Sequence, residues 1–297
     1  ALDQALLEGE PEAVVRRATT THLGLEEASA RALAFGAPEL ARELASRRLA
    51  AEPTSTAAAL VIALAAADLA RRAPRVEETA ADPSLALARL PPLTRPLPSA
   101  LSIELTERLA RAGGVEAARR FLAEVPREPV AGADALLVPR VADLAARGIA
   151  APEALPPEAR LELSAREGRP VAPGSPDASV PLDAPHAYLR AALAQPGAAA
   201  TRALGSLASP AHPAVVTADV LVALASGAPT EALWRRVAAG SREPMVLGSR
   251  VALADARGAA GAAAEARALL LPRAVTEHER RLAGAAEGSS SAAARSR

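Results

Sequence analysis

Hydrophobic residues recur along the chain at spacings of three and four, which is the period of an amphipathic α-helix. Four stretches show this pattern clearly: 101–109, 118–125, 138–144 and 234–237. The period-two alternation of β-strands is missing, and so are the Asn-Gly and Asp-Gly pairs that form tight hairpins. We therefore predict an all-α protein of many short helices, each about 10 to 16 residues long and closed by Gly or Pro.

Two segments interrupt the helical pattern. Six prolines lie between Pro74 and Ala100, and a second segment rich in Pro, Gly, Ser and Asp runs from Gly168 to Pro185. Such segments cannot continue a helix, and the second is the better candidate for a linker. The predicted organisation is an N-terminal helical half at 1–167, a linker at 168–185, a C-terminal helical half at 186–283 and a disordered tail at 284–297.

Composition excludes several kinds of chemistry. All 34 basic residues are arginine, and the chain has no cysteine. A phosphate-binding P-loop lysine, a lysine Schiff base, a thiolate nucleophile and a Cys-ligated zinc are therefore impossible. Because the formal net charge is zero and only four residues are aromatic, the chain lacks the basic face and stacking rings of a nucleic-acid binder. We read the use of arginine in place of lysine as GC-rich codon bias.

No stretch is predicted to span a membrane. The longest uncharged apolar run, from Pro53 to Ala67, is mostly alanine and is closed by Asp68, whereas a spanning helix needs about 20 strongly apolar residues. The sequence starts at Ala1, as expected for a mature product after leader removal or for a shortened chain. Leader removal would place the protein in a bacterial periplasm or cell envelope, which we favour over the cytoplasm.

The candidate site residues are histidines and paired arginines. His22, His186, His212 and His278 show no metal-ligand spacing, so we predict no metal site, and no Gly-x-Ser-x-Gly motif supports a serine nucleophile. We predict no catalytic residue and no cofactor. The paired arginines belong to helical stretches and could bind carboxylates on a partner, although neighbouring acidic residues favour ordinary solvated helix faces. The candidates are Arg47, Arg48, Arg119, Arg120, Arg235 and Arg236.

Small residues and glycines recur in an order typical of helix pairs. The first copy contains Leu25, Ser29, Gly36, Ala41 and Pro53. A second copy contains Leu105, Leu109, Gly113, Ala118 and Leu122, and a third, around Gly258, keeps the order but not the spacing. The turn glycines are separated by intervals close to two and four units of about 36 to 38 residues.

These residues resemble the tetratricopeptide repeat, a 34-residue helix-turn-helix unit. The sequence departs from the family at Ala32, where an aromatic residue is usual, and at Arg48, where a small residue is usual. The resemblance implies a right-handed α-solenoid of stacked antiparallel helix pairs with degenerate repeats. Such a stack suits helices whose apolar stripes are mostly alanine, because each pair packs on its neighbours.

Three functions follow from these observations. The resemblance implies a non-enzymatic scaffold or adaptor that binds another protein, either a peptide segment or a subunit, in a bacterial multi-subunit or cell-envelope assembly. One alternative is a structural accessory subunit of a larger complex. The other is an all-helical enzyme whose Asp, Glu, His and Arg site is assembled only by folding.

Overall fold

The computed structural model describes residues 24–34, 36–72, 95–131, 134, 137–172, 175, 179–196, 212–238 and 243–284. Within these ranges the chain forms twelve α-helices, which confirms the predicted all-α class. The helices form two compact units, unit 1 up to Val130 and unit 2 from Ala131. The predicted linker at 168–185 falls inside unit 2. The domain boundary expected from the sequence therefore differs from the boundary between the two compact units, which follows Val130. His22 and the tail after Gly284 lie outside the described residues, as do 73–94 of the first proline-rich segment.

The described residues of unit 1 form four helices, and α1 packs against the other three. The second helix also packs along the third, so consecutive helices are neighbours in space. The bounds are α1 Gly24–Ala34, α2 Pro38–Ala51, α3 Thr56–Arg72 and α4 Ser99–Glu124.

The described part of unit 2 has eight helices, in which α5 packs on α6, α7 on α8 and α10 on α11. Helix α10 is central, because it also contacts α6, α8, α9 and α12. The bounds are α5 Leu137–Ala146, α6 Pro157–Arg166, α7 Ala184–Ala194, α8 Pro213–Ser226, α9 Glu231–Ala238, α10 Pro244–Ala256, α11 Ala260–Leu270 and α12 Glu277–Leu282, with 3₁₀ turns at Pro152–Ala154 and Leu271–Arg273.

Helix α4 is a helical hairpin rather than one straight rod. Its 26 residues would extend for about 39 Å if straight. Yet Leu97, just before the helix, forms backbone hydrogen bonds of 2.9 Å with Pro126 and Glu128, just after it. The chain therefore reverses inside the helix, at Gly114, where φ is 81°. The sequence placed this turn one residue earlier, at Gly113.

Glycines end five helices in the same way. At Gly36, for example, the glycine N–H donates to Leu33 and the next N–H donates to Ala32, which is the Schellman pattern of hydrogen bonds. Gly258 repeats it between α10 and α11 with φ of 67°. Only glycine adopts this left-handed conformation without strain. The remaining three caps are at Gly148, Gly168 and Gly227.

Alanine side chains form part of the contact between α1 and α2. The alanines Ala28, Ala32, Ala41 and Ala45 are buried on these two helices. Five of the eleven predicted repeat positions are buried as well. Fully or almost fully buried are Ser29, Ala41, Leu105, Leu109 and Ala118; Leu25 and Leu122 are half-buried, and Pro53 is exposed in a turn.

No helix in the described part of the chain is both long enough and apolar enough to cross a membrane.

Replacing Gly258 by alanine is expected to destabilise unit 2 by about 1–2 kcal/mol, because an L-residue is strained in the left-handed region. A Cβ atom there would meet no neighbour, so the cost comes from the backbone alone. The matched control is Gly261→Ala in the same hairpin, which also has open space but lies in α11. Urea unfolding followed by Trp234 fluorescence measures both. Equal stability of the two variants would contradict this account of the turn.

Candidate functional site

A cavity of about 70 Å³ lies in unit 2 between α6, α8, α10 and α12. Half-buried Leu221, Leu224 and Leu282 supply apolar walls, together with the more buried Met245. Gly248, in the middle of α10, also lines the cavity. Because this glycine has no side chain, the wall of α10 recedes there. Apolar clefts with a few polar groups are the usual form of binding sites.

Two hydroxyl groups form one polar patch of the cavity wall. Ser249 Oγ lies 3.3 Å from Thr217 Oγ1 and donates to the Met245 carbonyl at 3.0 Å. Both side chains are buried, so α8 and α10 are joined by a short polar contact within an apolar interface. The hydroxyls can exchange these bonds for a ligand without leaving a charge unpaired.

Arg166 and Glu279 form a buried ion pair beside the cavity. Their side chains are only 3% and 2% exposed, and Arg166 Nε donates to Glu279 Oε1 at 2.6 Å. Arg166 Nη2 also donates to Asp143 Oδ1 on α5 at 3.0 Å. One guanidinium therefore joins α6 to both α5 and α12. A charge this deeply buried persists only when it is paired.

The same glutamate takes part in the N-terminal cap of helix α12. Glu279 Oε2 accepts the N–H of Thr276 at 3.0 Å, and Thr276 Oγ1 accepts the N–H of Glu279 at 3.2 Å. This capping box satisfies free donors of the first turn. Thr276 Oγ1 also donates to the Arg166 carbonyl at 2.7 Å. The start of α12 is thus fixed to the end of α6 through both side chains.

A second buried cluster surrounds His186 at the start of α7. Its Nδ1 lies 2.7 Å from Asp183 Oδ1, and its Nε2 lies 3.1 Å from Glu162 Oε1 on α6. Burial by itself would lower the pKa of His186, but the hydrogen bonds and charges of Glu162 and Asp183 outweigh it and raise the pKa. The ring of His212 makes an edge-on contact, with centroids 5.4 Å apart. Burial lowers the pKa of His212, and the charge of His186 lowers it further.

His278 occupies a different position, on the cavity wall. A Cβ atom on Gly168 would lie 2.7 Å from its Nδ1, so the ring rests directly on the glycine backbone. Burial lowers the pKa of His278, and the charge of Arg281 adds to this effect. No group of three or more His, Asp or Glu side chains in the described ranges has the geometry of a metal site.

Most of the paired arginines bind nearby carboxylates. Arg47 contacts Glu43, Arg48 contacts Glu26 and Glu52, and Arg119 contacts Glu116. In unit 2, Arg235 contacts Glu231, and Arg236 contacts Asp219. Arg120 is exposed on α4. These ion pairs agree with solvated helix faces, and a role of the six residues in partner binding stays a prediction.

The sequence did not single out the cavity, Arg166 or Glu279. The Thr276-x-x-Glu279 spacing is a capping-box signal that could have located the start of α12. Its pairing with Arg166 has no local signal, because the two residues are 113 positions apart. Comparison with models of protein families, with curated proteins and with solved structures finds no match.

Replacing Glu279 by glutamine is expected to destabilise unit 2 by about 3 kcal/mol, because it leaves the buried Arg166 charge with Asp143 alone. The matched control is Glu277→Gln on the same helix, whose side chain is 79% exposed and which is expected to change stability by less than about 0.5 kcal/mol. Urea midpoints measured by Trp234 fluorescence compare the two. Similar midpoints for both variants would show that the buried pair does not hold α12.

Proposed function

We propose that the protein is a non-enzymatic scaffold, similar in architecture to tetratricopeptide-like α-solenoids, which binds another protein. In this proposal the cavity of unit 2 receives an uncharged aliphatic side chain of the partner. The single observation that supports it most is the apolar cleft between α8, α10 and α12.

Gly248 is the first argument that the cleft serves binding. Glycine in a helix interior costs about 1 kcal/mol relative to alanine. Here the nearest atom to an added Cβ would be Leu282 Cδ1 at 3.4 Å, an ordinary contact. Packing of α10 therefore does not demand glycine. An opening for a partner side chain accounts for a residue that the fold itself does not need.

The charges that line the cleft determine which kind of partner side chain can bind there. The charged lining residues Arg166 and Glu279 bind each other, and the lowered pKa of His278 keeps its ring neutral near pH 7. A charged side chain entering the cleft would lose its hydration without finding a free counter-charge. An aliphatic side chain such as leucine loses nothing and gains about 25 cal/mol per Å² of apolar surface removed from water.

The His186 cluster does not favour the enzymatic alternative. Folding brings His186, Glu162 and Asp183 together, as that alternative requires. Both ring nitrogens already face carboxylates, however, and the residue is 1% exposed. General acid-base catalysis needs a nitrogen within hydrogen-bond reach of a substrate. We therefore assign this cluster a structural role and keep binding as the proposed function.

Selection of a random peptide display library on the purified full chain tests the proposal. Enriched peptides are expected to share an aliphatic residue, and changing it to alanine is expected to weaken binding at least tenfold in fluorescence polarisation. Gly248→Leu, which fills the cleft, is expected to have an effect of the same size. The matched control is Gly261→Leu on α11, whose added side chain enters open space.

Two results of this experiment would contradict the proposal. Absence of enriched peptides, or peptides that bind the folded Gly248→Leu variant as tightly as the original chain, would overturn the assignment of the cleft. Circular dichroism of each variant verifies that the helices are retained.

A further inference from the structure

The contacts of His186 fit an imidazole ring that carries two protons. Nδ1 points at Asp183 Oδ1 and Nε2 points at Glu162 Oε1, and both acceptors are carboxylate oxygens. A neutral imidazole carries a single N–H, so it can satisfy one of these contacts and must oppose a lone pair to the other. The geometry is therefore that of an imidazolium held between two carboxylates.

The ring of His186 connects α6, the start of α7 and the residue before α8. Glu162 lies on α6, whereas Asp183 caps α7 and accepts the N–H of His186 at 2.9 Å. His212 precedes α8, and its Nδ1 accepts the N–H of Ala214 at 3.2 Å. Because that nitrogen uses its lone pair, His212 is neutral while it caps α8. A neutral ring avoids charge repulsion with the imidazolium 5.4 Å away.

We propose that His186 is a pH-sensitive clamp, which holds α6 against the start of α7 while its ring is protonated and releases it when the ring loses its proton. Loss of the proton leaves one of the two carboxylates facing a nitrogen lone pair, which is costly for the buried Glu162. Helix α6 lines the cavity described above, so the release would loosen one of its walls. The clamp does not depend on the proposed function.

The other ionisable groups on the packed helices are already engaged or lie apart from the clamp. On α8, Asp219 binds Tyr188 and Arg236. On α6, Arg160 donates to the Leu155 carbonyl and Arg166 pairs with Glu279, while on α7 Arg190 donates to the Val180 carbonyl. Glu158 lies one turn before Glu162 on the buried face of α6. It adds a negative charge to that face, which favours the protonated ring.

The direction of the pH effect follows from linkage. A histidine whose pKa is raised by folding stabilises the protein fully below its ordinary pKa, and the stabilisation is lost as pH rises through the raised value. The burial, hydrogen bonds and charges around His186 give this direction. Few other groups titrate from pH 7 to 9, since the chain has no lysine or cysteine and a single tyrosine. Alkaline loss of stability can therefore be assigned to His186 by comparison with the His186→Gln variant.

Urea unfolding of the full chain at pH values from 6 to 9 tests the clamp. Trp234, the only tryptophan, packs against a hydrophobic cluster of unit 2 and reports on that unit. The urea midpoint is expected to fall as pH rises above 6.5, the ordinary pKa of histidine, with the unfolding constant rising up to tenfold for each unit by which folding raises the pKa. His186→Gln is expected to lower the midpoint at pH 7 and remove its pH dependence above that point.

His278→Gln on α12 is the matched control. Its pKa is lowered by folding, so the ring is already uncharged above pH 7 and the alkaline fall is expected to persist. A midpoint that stays constant in the unmodified chain, or an alkaline fall retained by His186→Gln, would overturn the proposal.

If His186→Gln does not fold, NMR titration of the imidazole Cε1–H signals in the unmodified chain decides the question. The chain has four histidines, and the spectra of His22→Gln, His212→Asn and His278→Gln assign three of the signals, so that the fourth belongs to His186. The signal of His186 is expected to titrate above pH 6.5 and that of His212 below it. Titration of His186 below 6.5 would contradict the clamp.

Discussion

The buried guanidinium of Arg166 is the contact on which the arrangement of unit 2 depends most. It joins three helices, because its donors reach Asp143 on α5 and Glu279 on α12 while its own residue ends α6. Such a pair contributes little net free energy, since desolvation offsets the attraction, but any arrangement that separates the charges is strongly disfavoured. Unit 1 uses the same device, in which Arg108 on α4 binds Asp68 on α3 through two hydrogen bonds of 2.9 and 2.6 Å.

Ion pairs have this importance because apolar packing selects between partners only weakly. The buried apolar residues are mostly alanine, leucine and valine, and apolar faces of similar volume pack almost equally well against one another. A buried charge has few suitable partners. The paired charges therefore help to specify which helices meet, while apolar packing and the glycine caps provide the general stability of the hairpins.

The polar site could be predicted from the sequence only in part. The Thr276-Glu279 capping box is a local pattern, and so is the position of His212 between two prolines, where it caps α8. The cluster at His186 could not be foreseen. Its ring is held by Glu162 and contacted by His212, which belong to other helical segments, and neither spacing corresponds to a known motif. The surroundings of the candidate arginine pairs, by contrast, could be foreseen from the sequence. Their carboxylate partners are mostly within one or two turns of the same helix or on the adjacent helix.

The sequence by itself determined the all-α class, the exclusion of lysine and cysteine chemistry, and the turns at Gly36 and Gly258. Each of these depends on residue type or on spacing within about one helix pair, where periodicity and backbone conformation act locally. The turn at Gly114 was missed by one residue, because the adjacent Gly113 permits the left-handed conformation equally well. Only the tertiary structure decided that Arg166 meets Glu279, that His186 lies between two carboxylates, and that a cleft opens beside Gly248. These features depend on which helix faces come together, and no local pattern in the sequence specifies that pairing.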